Sequence, residues 1–182
     1  AISSKGDLLR KLNFPKYVIV LAGSISAFIN LVINFVVLIA FMAFAGVEVH
    51  WHAPLFLLIL AEMFVLSIGV AFLLSALYVR FRDIGYVWEI IMQAGFYFTP
   101  ILYPITLVIE RAPFIAQIQM FNPMAQIIQD ARYLLITPQT ATFEQIFSSG
   151  WYRLWPIGVT IAFTILAAWY FRRQSPKFAE EI

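Results

Sequence analysis

The most constraining feature of this chain is an uncharged, largely apolar run, Tyr17–Ala45, which is 29 residues long. A helix rises about 1.5 Å per residue, so a helix of this length exceeds the roughly 30 Å hydrocarbon core of a bilayer. Pro15 suits the first turn of such a helix and Gly46 suits its end. The run therefore predicts a tilted transmembrane helix, and with it an integral membrane protein.

The composition leads to the same class. Of the 182 residues, 62% are hydrophobic and 12% are charged, whereas about a quarter of a soluble domain is charged. So few charges could not cover a soluble core of this size. The net charge of +2 is too small and too scattered to indicate a nucleic-acid partner. The absence of cysteine excludes disulfides and thiolate metal sites.

Further apolar runs predict an all-α, polytopic membrane fold with about four transmembrane helices. The second run carries one charge, Glu62, and the third carries Glu89 and stops at Pro100 and Pro104. The last run ends at two arginines. These three spans are Ala53–Val79, residues 84–102 and Leu154–Phe171.

Basic residues predict the orientation of these spans. With four crossings, nine of the 12 Lys and Arg residues fall on one side, which the positive-inside rule places in the cytoplasm with both ends of the chain. The nine are Lys5, Arg10, Lys11, Lys16, Arg80, Arg82, Arg172, Arg173 and Lys177. Arg111, Arg132 and Arg153 fall on the other side.

Residues 104–137 are apolar but too interrupted to cross. Pro113, Asn122 and Pro123 break the segment, and an even number of crossings must return the chain to the outside before the last span. We expect two short half-helices, roughly 105–120 and 124–136, that dip in from outside and line or cover a pathway. The alternative is an amphipathic pair lying on the membrane surface.

Residues 3–13 predict a short cytoplasmic helix. Leu8, Leu9 and Leu12 form one apolar stripe, while Lys5 and Arg10 face away from it. A helix of this kind lies on anionic lipid or docks on a partner protein. The pattern alone leaves both possibilities open.

The sequence contains few motifs that indicate catalysis or metal binding. The chain has no G-x-x-x-x-G-K-[ST] phosphate loop. His50 and His52 flank Trp51 in an outer loop with only Glu48 near them, which is a poor metal site. We therefore expect no catalytic residues and no metal site in this chain.

Polar and aromatic residues inside the spans are the candidate pathway residues. Glu62 is an intramembrane carboxylate, which indicates either function or an interhelical contact. Asn30 and Asn34 stand one helical turn apart and suit helix packing or pathway lining. Aromatic rings stack on sugar rings, so a saccharide conduit would use Phe96, Tyr97, Phe98 and Tyr103; interfacial anchoring is the alternative.

The charged stretch "LYVRFRDIGYVWE" predicts a tight cytoplasmic turn. Asp83 is placed to cap the third span and to pair with a neighbouring arginine. Arg80 and Arg82 suit bidentate contacts with phosphates of lipid or substrate, or with a partner protein. Topological anchoring is the alternative explanation for both arginines.

A series of motifs runs through nearly the whole chain: "LNFPKY", "LLSALYVRFRDIGYVWEIIMQ", "FYFTPILYP", "FNPMAQIIQDARYLL" and "FRRQSPKFAEEI". In this order and spacing they resemble the permease subunits of type-2 ABC exporters, in the branch that exports O-antigen, capsular polysaccharide or teichoic acid. That family has six spans, so the resemblance implies that this chain is the C-terminal two-thirds of one permease domain. Residues 3–13 would be the coupling helix that docks on the ATPase, through Lys5, Leu8, Leu9, Arg10 and Leu12.

The resemblance also implies the partners. Two permease copies would work with two ATPase subunits, which bind ATP and Mg, and this chain would bind no cofactor. The substrate would be a polyprenyl-pyrophosphate-linked glycan or polyol-phosphate polymer in the bacterial inner membrane. The alternatives are a drug or small-lipid exporter of the same architecture and, from another class, an ion-coupled secondary transporter in which Glu62 titrates.

Overall fold

A computed structural model describes residues 16–47, 52–81, 83–137, 139–147 and 154–175. These residues are helical apart from short connections, and no strand occurs among them. In chain order the helices are α1 (Lys16–Phe44), a 3-10 turn (Ala53–Leu55), α2 (Phe56–Arg80), α3 (Ile84–Phe98), α4 (Ile105–Arg111), α5 (Pro113–Met120), α6 (Pro123–Leu135), α7 (Phe143–Phe147) and α8 (Leu154–Gln174).

Three helical segments are long and apolar enough to cross a membrane: Tyr17–Phe44, Ala53–Arg80 and Leu154–Gln174. They confirm the all-α, polytopic membrane fold. The third predicted span differs, because α3 has 15 residues and ends at Phe98, which gives it a length of about 22 Å. Pro100 explains the early end, since proline lacks an N–H and disfavours helical backbone in the residue before it. Whether α3 crosses stays a prediction.

The chain divides into two compact units. The first is formed by Ala1–Gly46, Phe64–Trp88 and Ala162–Ile182, and the second by Val47–Met63 and Glu89–Ile161. The predicted single permease domain over residues 1–182 stays a prediction.

The first unit packs parts of α1, α2 and α8 around a small apolar core. Its buried residues are Val20, Phe72, Ala76, Ala167 and Phe171. The rings of Phe72 and Phe171 lie 5.1 Å apart. Large apolar side chains elsewhere on α1 and α8 are exposed, including Phe44 at 90%. Such a surface suits lipid rather than water.

The second unit contains α4 to α7, and α4, α5 and α7 pack together around Ile105, Ala116, Met120 and Phe143. The predicted half-helix 105–120 is interrupted at Ala112, whose backbone angles are φ −151° and ψ 76°, because the following Pro113 excludes helical backbone there. The second half-helix forms as α6, capped by the Asn122 side chain, which accepts from the Met124 N–H at 3.0 Å. That these helices dip into the membrane from outside stays a prediction.

Candidate functional site

A polar cluster in the second unit binds the backbone immediately after α3. At the C-terminal end of any helix, carbonyl groups lack partners within the helix. Here the amide nitrogen of Gln119 donates to the Phe98 carbonyl at 2.9 Å, and that of Gln129 donates to the Pro100 carbonyl at 3.2 Å. These two side chains and Arg132 are called the clamp below, and residues 98–103 the clamped turn.

Arg132 holds two carbonyls of the clamped turn. Its guanidinium donates to Pro100 O at 2.9 Å and, through its second terminal nitrogen, to Ile101 O. The negative end of the α3 dipole lies at this turn, and it favours a cation there. The contact thus places a charged group where both hydrogen bonding and electrostatics are favourable.

Tyr103 ties the clamped turn back to α3. Its hydroxyl donates towards the carbonyl oxygens of Tyr97 at 3.2 Å and Phe98 at 3.1 Å. It also accepts from the Gln119 amide at 2.8 Å. The predicted pathway residue Tyr103 is therefore engaged with backbone at its polar end, while its ring is half-buried.

The helix that supplies most of the clamp has a polar buried face. Gln126, Gln129 and Asp130 are all at least 95% buried on α6, and the Gln126 amide donates to the Asp130 carboxylate. The same helix also buries four apolar residues, Ala125, Ile127, Leu134 and Leu135. Thus α6 buries polar and apolar side chains together, and the buried amides donate hydrogen bonds within the protein.

An exposed polar and aromatic stripe lies on α3 within the same unit. Glu89, Gln93 and Tyr97 follow at intervals of four residues, which places them on one helix face, and Phe96 borders them. All four are exposed, Tyr97 at 65%. The rings of Phe96 and Tyr97 meet edge to face at 5.6 Å. These four residues are called the α3 stripe below.

The remaining predicted site residues are not part of the clamp, although Phe98 begins the clamped turn. Asn30 and Asn34 are exposed on α1 in the first unit, where the Asn34 amide donates to the Asn30 carbonyl at 2.9 Å. Glu62 is half-buried on α2 in the second unit. Phe98 is exposed at the end of α3. The structure brings Tyr97, Phe98 and Tyr103 together and leaves the roles of all these residues untested.

At the predicted cytoplasmic turn, Arg80 is exposed and its guanidinium carbon lies 5.3 Å from the centre of the Phe81 ring. Asp83 directly precedes α3, and its backbone carbonyl accepts from the Tyr86 N–H at 3.1 Å. The remaining predicted residues fall outside the described part of the chain, namely Arg82 and the coupling residues Lys5, Leu8, Leu9, Arg10 and Leu12.

Metal ligands are sparse in the part of the chain that the structure covers. No group of three His, Asp or Glu side chains converges among those residues. His52 is exposed just before the 3-10 turn, while His50 lies outside the described residues.

Sequence reasoning missed the clamp and half of the α3 stripe. The spacing of Glu89, Gln93 and Tyr97 was a usable signal, because intervals of four residues indicate one helix face. The clamp gave no such signal, since its hydrogen bonds to the clamped turn join residues 16 to 32 positions apart.

The long apolar helices, together with polar groups held at a broken helix end, define a polytopic α-helical membrane protein. No protein-family model matches the chain. One curated relative is the O-antigen export system permease protein RfbA of Myxococcus xanthus, which is 22% identical over 182 residues, covering 100% of this chain and 67% of the relative. This similarity confirms the resemblance to the permease subunits of type-2 ABC exporters.

Proposed function

We propose that this chain is the membrane-spanning part of a permease that exports an O-antigen-like glycan across the bacterial inner membrane. The α3 stripe is the observation that carries the proposal on the structural side, and the similarity to an O-antigen export permease supports it on the sequence side. A permease of this kind moves its substrate without changing it chemically, so we assign no catalytic residue.

The chemistry of the α3 stripe suits a saccharide. A carboxylate such as Glu89 is costly against lipid, so a face that carries it belongs next to water or protein. Carboxylate and amide oxygens accept hydrogen bonds from sugar hydroxyls, and the amide of Gln93 also donates. The exposed rings of Phe96 and Tyr97 stack on the apolar faces of sugar rings.

The proposed substrate is a polymer linked to polyprenyl pyrophosphate, either a glycan or a teichoic acid. A guanidinium binds phosphate oxygens through two parallel hydrogen bonds. Arg80, which is exposed at the predicted cytoplasmic turn, would meet the pyrophosphate or lipid phosphates there, together with Arg82. In this arrangement the anionic end of the substrate stays at the cytoplasmic side while the sugars reach the α3 stripe.

Transport against a gradient requires an energy source, and we assign it to a separate ATPase subunit that binds ATP and Mg. The coupling helix, residues 3–13, would transmit the motion of the ATPase, and a second permease copy would complete the pathway. Replacing Leu8 and Leu9 with Asp should abolish copurification of the ATPase while membrane insertion is retained. Unchanged copurification would remove the coupling role.

The central test replaces residues of the α3 stripe. Tyr97→Ala combined with Gln93→Leu should lower surface glycan severalfold at equal permease levels, because ring stacking and the amide hydrogen bonds are lost together. Ile91→Ala is the matched control, since Ile91 is also exposed but lies on the opposite side of α3. Normal surface glycan in the double variant would contradict the proposal.

A further inference from the structure

The clamp differs from ordinary helix packing because each of its two glutamines buries an amide oxygen that makes no hydrogen bond within the described part of the chain. The amide oxygens of Gln119 and Gln129 are buried without a hydrogen-bond partner in the structure as described. Burying an unpaired acceptor is unfavourable, so packing alone would favour apolar side chains at both positions. The bonds from their amide nitrogens to the carbonyls of Phe98 and Pro100 are what glutamine contributes there.

Arg132 is the centre of this arrangement. It reaches the carbonyls of two consecutive residues, Pro100 and Ile101, from α6, about 30 positions along the chain. Neither carbonyl belongs to a helix, so both need partners from elsewhere in the protein. The planar fork of a guanidinium can serve two acceptors at once, whereas a lysine ammonium offers a single centre.

We propose that Arg132 is a positioning residue: by holding the clamped turn, it fixes the last turn of α3 and so the place of Phe96 and Tyr97 in the transport path. The Tyr103 hydroxyl extends the hold to the carbonyls of Tyr97 and Phe98. The consequence for export rests on the proposed function. The mechanical part, that Arg132 immobilises residues 98–103, depends only on the contacts above.

The absence of cysteine from the chain allows a direct test with single reporter cysteines. Leu102, 70% exposed, lies in the clamped turn, and Leu107, 47% exposed, lies beyond it on α4. Each is replaced by Cys, spin-labelled in the whole permease in lipid nanodiscs, and its mobility is measured by electron paramagnetic resonance. The clamp is broken with Arg132→Gln, and Arg111→Gln is the matched control because Arg111 is an exposed arginine of the same unit.

Arg132→Gln should raise the mobile fraction at position 102 about tenfold, since charge-assisted hydrogen bonds to two carbonyls are lost. The label at 107 should keep its spectrum. Arg132→Lys should give an intermediate mobile fraction at 102, and Arg111→Gln should change neither label. An unchanged spectrum at 102 in Arg132→Gln would overturn the proposal, as would equal loosening at 102 and 107, which indicates general loss of packing.

Surface glycan measured on the same variants separates this inference from the proposed function. Arg132→Gln should lower export at equal permease levels, and normal export with a released turn would overturn the positioning role. If the double variant Tyr97→Ala with Gln93→Leu exports normally while Arg132→Gln releases the clamped turn, the pathway assignment fails and the mechanical role of the clamp stands. If the double variant fails to export while the turn stays rigid in Arg132→Gln, the clamp fails and the pathway assignment stands.

Discussion

At the scale of single residues, a close approach of α8 to α2 in the first unit depends on Gly69. A Cβ built on Gly69 would lie 2.6 Å from Thr164 Oγ1, 3.0 Å from Thr164 Cα and 3.1 Å from Phe163 Cδ1. The Thr164 hydroxyl donates to the Val65 carbonyl at 3.0 Å, which fixes α8 against α2 at this point. The backbone atom among these neighbours cannot move away as a flexible side chain could.

Gly69→Ala should therefore destabilise the protein by about 1–3 kcal/mol, because the added methyl overpacks the contact. In a chain of this size each kcal/mol lowers the melting temperature by about 2–4 °C, which thermal unfolding in detergent would measure. Gly23→Ala is the control, since nothing lies within 4 Å of its added Cβ, and it should be neutral or stabilising. Equal melting temperatures for the two variants would contradict the close contact.

At the scale of elements, α6 begins at a cap that also reaches the clamped turn. Asn122 accepts from the Met124 N–H at 3.0 Å through its side-chain oxygen, while its amide nitrogen donates to Thr99 Oγ1 at 3.4 Å. The first contact starts α6 and the second ties that start to the residue after α3. The two contacts can be separated by substitution.

Asn122→Ala should cost about 1 kcal/mol, the usual loss for an N-cap asparagine, and should lower the melting temperature accordingly. Asn122→Asp keeps the accepting oxygen but loses the donor to Thr99, so it should recover most of the stability. If the melting temperature of Asn122→Asp is as low as that of Asn122→Ala, the hydrogen bond to Thr99 contributes more stability than the N-cap. In that case α6 is stabilised by its contact with the clamped turn rather than by its N-cap.

The elements also show how far the sequence could predict this fold. Apolar run length and proline position are local properties, so the long spans and the break near residue 123 could be predicted, whereas the predicted half-helix 105–120 was carried through Pro113, where the structure divides it. The end of α3 was placed near residue 102 because the run continues to Leu102, although Pro100 ends the helix at Phe98. The partners of the freed carbonyls come from Gln119, Gln129 and Arg132, and no local pattern relates such distant residues.

At the scale of the whole molecule, the number of crossings decides on which side of the membrane each segment lies. If α3 crosses, Asp83 and Arg173 share one side and Glu110 lies on the other. If α3 does not cross, Asp83 and Glu110 share a side and Arg173 lies opposite. The basic residues do not separate these cases, because nine of the 12 Lys and Arg residues share one side in both arrangements.

The clamp does separate them. Arg132 is half-buried and bonded to backbone, so it does not act as a free loop charge. When Arg132 is left out, the excess of basic residues on one side of the membrane is larger with four crossings than with three, which favours four crossings. The clamp also satisfies carbonyls of the turn after α3, which lets non-helical backbone sit at membrane depth beyond Phe98. A 15-residue helix of about 22 Å, continued by such a turn, can cross where the bilayer thins locally.

We therefore expect four crossings, and single cysteines at positions 83, 110 and 173 test it in a chain that has none of its own. In spheroplasts, a membrane-impermeant maleimide should label Glu110→Cys, while Asp83→Cys and Arg173→Cys should react only after permeabilisation. All three side chains are exposed, so a difference in labelling reports the side of the membrane rather than burial. Labelling of Arg173→Cys with protection of Glu110→Cys would mean three crossings, and would place the clamp and the aromatic end of α3 on the cytoplasmic side.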